Sequence, residues 1–110
     1  MKISKEEMTK LETRMSSAAT GLKSVTGKKM FGCPALFTNA NVFAMVWKHG
    51  QFGIKLTDEA DYEKLVSSKG AGPWTIGPKK MSHWVLLPES ATSAQLKTWI
   101  GKAYKQAKEA

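Results

Sequence analysis

The sequence predicts a two-layer α+β domain, with an antiparallel sheet of about four to five strands and helices in the order α-β-β-β-α-β-α. Apolar residues recur at helical spacing near both ends of the chain, whereas the middle holds short apolar runs separated by turn residues. Tight turns join the first three of those runs, which makes them antiparallel, and helices set apart from strands give two layers. The length of 110 residues suits one domain, 1–110, whose core needs neither a metal nor a disulfide.

The first helix starts at Ser4, because Ser-Lys-Glu-Glu places Glu7 three residues beyond a serine cap in a capping-box arrangement. Met8, Leu11, Met15, Ala18, Ala19 and Leu22 form its apolar stripe, and Gly21 ends it. Lys5, Glu6, Lys10, Glu12 and Arg14 mix charges on the opposite face, which reads as solvated surface. A polar connection follows. Residues 35–38, 42–48 and 52–56 are then the three strand candidates, separated by Asn-Ala-Asn and by His49-Gly50. A two-residue His-Gly loop would want positive φ at both positions, which gives His49 a structural reason to be there.

Every residue from 42 to 47 is apolar, so alternation puts Phe43, Met45 and Trp47 on one face and Val42, Ala44 and Val46 on the other. Residues 58–70 read as a shorter helix, with acids in its first turn and Gly70 at its end. Gly70, Gly72 and Pro73 break the chain, with room for a short extra strand at 74–77. Residues 81–87 form a strand stopped by Pro88, with Trp84 and Leu86 on one side and Val85 and Leu87 on the other. The last helix begins near Thr92, which Gln95 partners in a second capping box, and Leu96, Trp99, Ile100, Ala103, Tyr104 and Ala107 make its stripe. Lys97, Lys102, Lys105 and Lys108 lie mostly off that stripe, where they are solvated.

Net charge is +8 and the isoelectric point is near 9.7, so the chain attracts polyanions. The only arginine is Arg14; the other basic residues are lysines, which are solvated point charges poorly suited to reading base edges. Weak, sequence-indifferent attraction to nucleic acid is the expectation, with Lys28, Lys29, Lys79 and Lys80 as candidate contacts. No run of about 18 apolar residues is present and the opening segment is charged, so no membrane partner is expected. One cysteine and two scattered histidines give no disulfide and no zinc spacing, which fits a reducing cytoplasm.

Glycines sit singly, without a phosphate-binding loop, and the acids cluster in the first turns of helices, where capping explains them. The remaining catalytic constellation is a Cys33 thiolate lowered by Lys28 and Lys29 with His83 as base. Nothing in the sequence brings His83 to Cys33, and no cysteine-protease or Cys-x-x-Cys signature surrounds that thiol. The chain therefore reads as a non-enzyme with no catalytic, cofactor or metal residues. Three single-striped helices would cover one sheet face and leave the other bare. Phe43, Met45, Trp47 and Trp84 are the candidate interface of an expected homodimer, beside an unidentified protein partner.

Five segments taken together carry a resemblance: Lys29-Met30-Phe31-Gly32, Val42-Phe43-Ala44-Met45-Val46, Gly53-Ile54-Lys55-Leu56, Pro73-Trp74-Thr75, and Met81-Ser82-His83-Trp84-Val85 ending in Pro88. Their order and spacing resemble the TfoX amino-terminal domain family over roughly residues 12–108. The resemblance implies an α+β domain found in regulators of natural competence, where a separate carboxy-terminal domain follows, and also found alone in short proteins. This chain would be the short kind. Cys33 stands where the family usually has a second glycine, and His83 where it commonly has an aromatic residue. The resemblance maps no catalytic residue here. It makes Phe31 a core anchor, Gly32 an irregular backbone position, and Cys33-Pro34 the lead into the first strand, where a proline need not donate.

Overall fold

A computed structural model describes residues 2–109 as α1 (Lys5–Ala18), β1 (Thr26–Met30), β2 (Cys33–Thr38), β3 (Asn41–Trp47), β4 (Gln51–Lys55), α2 (Glu59–Val66), β5 (Gly72–Ile76), β6 (Lys79–Pro88) and α3 (Ser93–Glu109). The six strands form one antiparallel sheet in the order β1-β2-β3-β4-β6-β5. The architecture is α+β as expected, with the 74–77 strand present. One strand, β1, comes from the segment expected to be a plain connection. Its sequence, Thr-Gly-Lys-Lys-Met, has almost no apolar signal because β1 is an edge strand whose residues are mostly exposed.

Both predicted N-caps form, but only the second is a reciprocal box. Ser4 Oγ accepts from the Glu7 backbone N–H, and Thr92 and Gln95 bond reciprocally, at 2.8 and 3.1 Å. All three helices lie on one face of the sheet. There Leu11 and Met15 of α1, Tyr62 and Leu65 of α2, and Leu96, Ile100 and Ala103 of α3 bury Ala44, Val46, Phe52, Ile54, Val85 and Leu87. Arg14, read as surface, instead reaches over the Phe52 ring and donates to the carbonyls of Glu89 and Ala91, tying α1 to the β6–α3 turn.

The other face is where expectation and structure part. Phe31, Trp74, Trp47 and Trp84 meet there through edge-on contacts, although β5 and the β1–β2 turn belong to opposite ends of the strand order. In a flat sheet with strands ~4.8 Å apart those ends would stand roughly 20 Å from each other. Phe31 and Trp74 are 6.1 Å apart, so the sheet is curled into a trough. Cys33, Ala35, Met45, Trp47, Trp74, Trp84 and Leu86 fill it and are buried. Gly53 of β4 makes room on the floor: a Cβ there would sit 2.7 Å from Met45 Cγ and 3.4 Å from the Trp84 ring.

Two local irregularities shape the trough. Leu36 pairs with Ala44 but Phe37 pairs with Val42, so Phe43 is the extra residue of a β-bulge. Phe43 consequently turns to the helix side, where its ring meets Tyr104 edge-on at 5.6 Å, instead of sharing a face with Met45 and Trp47 as strict alternation requires. The second irregularity separates Pro73, opposite Val85, from Thr75, opposite Lys80. In the long bulge of β6 so created, His83 takes φ 68°, and Trp74 fills the trough. The β3–β4 connection also departs from expectation. It has three residues, with Gly50 alone at positive φ (88°) and its N–H bonded to the Trp47 carbonyl, so His49 is not in the left-handed region.

Candidate functional site

The four residues expected at an interface, Phe43, Met45, Trp47 and Trp84, are all buried within the single chain. They are core residues, because the bulge sends Phe43 under α3 and the curl of the sheet closes over the other three. Phe31 reverses in the opposite sense. Expected to anchor the core, it is 62% exposed. The register Met30↔Cys33 leaves Phe31-Gly32 as a two-residue turn, and their φ values of 53° and 75° are the type I′ pattern. A turn tip cannot reach the core, and asparagine, not phenylalanine, is the residue that tolerates this first position best. An aromatic ring held in left-handed backbone at an exposed tip is the kind of local cost that points to use.

Among the described residues the other exposed large hydrophobic is Ile76, at 36%, in the last position of β5. Strand alternation puts Ile76 on the same side as Trp74, the ring that Phe31 touches, and about 7 Å along the strand from it. Phe31, by its ring contact, and Ile76, two residues further along β5, are thus both neighbours of Trp74.

Cross-strand partners place the candidate lysines. Lys28 pairs with Ala35 and Lys79 with Ile76, so both belong to the trough rim. Lys29 pairs with Pro34 and faces the α1 side, and Lys80 lines a cleft against α2, so the four do not form a single face. Lys48, which the sequence did not single out, joins the rim with its ammonium 5.2 Å from the Trp47 ring centroid. His49 lies next to it, exposed, its ring edge-on to Trp47 at 5.7 Å.

Cys33 and His83 are on opposite faces. Cys33 is buried in the trough, its thiol 3.7 Å from the Phe31 carbonyl. His83 turns toward α2, where Nε2 lies 3.1 Å from Glu59 Oε1 and the ring packs edge-on to Tyr62. Glu59, Tyr62, Glu63, Lys80 and Ser82 complete an open cleft of about 350 Å³ around it. The His83–Glu59 pair is largely solvated, which limits it to about 0–1 kcal/mol. Among the described residues no three His, Cys, Asp or Glu side chains group to hold a metal ion.

The arrangement of segments now has a counterpart among known proteins, since the sequence profile of the TfoX N-terminal domain matches residues 18–107. The chain belongs to the TfoX N-terminal domain family. No curated protein and no solved structure matches it. Within this TfoX N-terminal domain the first of the five segments of the resemblance ends β1 and forms its exposed turn, while the other four lie on β3, β4, β5 and β6 and supply both the helix-side core and the tryptophans of the trough. No helix of the described residues is long and apolar enough to cross a membrane.

Proposed function

We propose that this TfoX N-terminal domain is a non-enzymatic regulatory module that works by docking onto a larger partner in the cytoplasm. The exposed side chains of Phe31 and Ile76 are its contact surface. The observation that carries the reading is the exposure of Phe31 and Ile76, the exposed large hydrophobic residues of the described chain, on two hairpins joined by the Phe31–Trp74 contact. Interfaces draw on protruding aromatic anchors of this kind. Family membership supports a regulatory role of the competence-regulator type. The burial of Cys33 on the face opposite His83 leaves the one catalytic pairing considered in the sequence without geometry.

Photo-crosslinking residues introduced at positions 31 and 76, with position 6 on the exposed face of α1 as control, test this in cells. Discrete adducts from 31 and 76 that are missing from position 6 support the docking surface. Equal labelling from all three positions, or none, rules it out.

A further inference from the structure

From the trough rim we infer a single-stranded nucleic-acid binding site, in which exposed rings stack bases and rim lysines meet phosphates. The inference rests on the docking reading above and names the partner class. Four rings run along this rim in sequence: Phe31 against Trp74 at 6.1 Å, Trp74 against Trp47 at 4.9 Å, and Trp47 against His49 at 5.7 Å. The two tryptophans are buried and hold the row rigid, while the rings at its ends, Phe31 and His49, are exposed. Neighbouring rings tilt at 64–74°, so the row is a set of separate platforms, not a continuous stack.

Charge accompanies the rings. Lys28 lies three residues before Phe31 on the same rim, Lys48 sits over Trp47 beside His49, and Lys79 stands across from Ile76. Rings at the two ends with lysines beside them suit a polyanion whose bases are unpaired, because every base offers a π-face and stacking needs no base-edge reading. A duplex hides those faces. It is also read chiefly by arginine, and Arg14 is committed to the β6–α3 turn. The net charge of +8 supplies the long-range attraction.

Fluorescence anisotropy with a labelled 12-nucleotide single strand of mixed sequence tests the site, against the same sequence as duplex and against heparin as competitor. Single strand should bind at least about tenfold tighter than duplex, and Phe31→Ala should weaken it about tenfold while the circular dichroism spectrum is unchanged. With three lysine contacts, affinity should fall about 20-fold between 50 and 200 mM salt. Lys28→Glu with Lys48→Glu should abolish binding, whereas Lys5→Glu with Lys10→Glu, which changes charge equally on α1, should leave most of it. Equal or tighter duplex binding, an unaffected Phe31→Ala variant, or equal loss from both charge pairs overturns the inference. So does binding to anionic lipid vesicles in place of the oligonucleotide. Crosslinks from positions 31 and 76 to a protein without oligonucleotide binding would sink this inference alone; absence of both would sink the docking reading as well.

Discussion

Phe31 and Trp74 touch, yet their energetic roles differ several-fold. Trp74 is fully buried among Trp47 and Trp84, and its indole N–H has no hydrogen-bond partner among the described residues, which leaves the ring faces around it as its setting. Truncating Trp74 to Ala should cost about 3–5 kcal/mol in chemical denaturation. Phe31→Ala should cost less than about 1 kcal/mol, since most of the ring is already in water. Phe31→Asn should go the other way and stabilise the domain by about 0.5–1 kcal/mol, because Asn-Gly suits the type I′ turn that Phe-Gly fills at a strain. A stabilised Phe31→Asn variant that no longer crosslinks or binds would show a residue kept for contact and not for folding. Cys33, buried at 2% exposure, should react with thiol reagents only as fast as the domain opens, and native labelling at the rate of the unfolded chain would contradict that.

Elements with a strong period were legible in the sequence, and elements defined by irregularity were not. The helix stripes and both caps could be read directly, as could β4 and the two-sided apolar pattern of β6. β1 could not, because its lysines and glycine face solvent at a sheet edge and carry no apolar alternation. The bulges at Phe43 and in β6 depend on pairing between distant strands, so no local pattern announces them. That one extra residue in β3 puts Phe43 on the face opposite the one that alternation predicts. The rim is partly legible: the sequence singles out Lys28 and Lys79, whereas Lys48 and His49 gain significance only from the ring row. At this scale Gly53 offers the sharpest test. Gly53→Ala should destabilise the domain by about 1–3 kcal/mol, as the added methyl must displace buried Met45 or Trp84. Unchanged thermal unfolding would mean that the trough floor yields freely.

The whole molecule covers both apolar faces of its sheet from one chain, so no bare face calls for a homodimer. Its edges are guarded too. β1 carries Lys28 and Lys29, β5 carries Pro73, and lysine and proline are standard defences against edge-to-edge pairing. Sedimentation at micromolar concentration should therefore return a 12.1 kDa species without concentration dependence, and a species of twice that mass would show self-association by another surface. The far end of the chain closes this arrangement. Asn39 donates to the Lys108 carbonyl at 2.9 Å, Asn41 to the Ala107 carbonyl at 3.0 Å, and Tyr104 to the Lys23 carbonyl at 2.7 Å, so α3 ends on the β2–β3 turn and on the segment after α1. Seen as a process in time, this clasp sets an order on biosynthesis. A nascent chain emerging from the ribosome exposes Phe43, Ile54 and Val85 long before α3 exists to cover them, so the domain cannot mature strand by strand. Nascent chains stalled with α3 still inside the exit tunnel should be cut rapidly by protease, and resistance should appear in one step once α3 emerges.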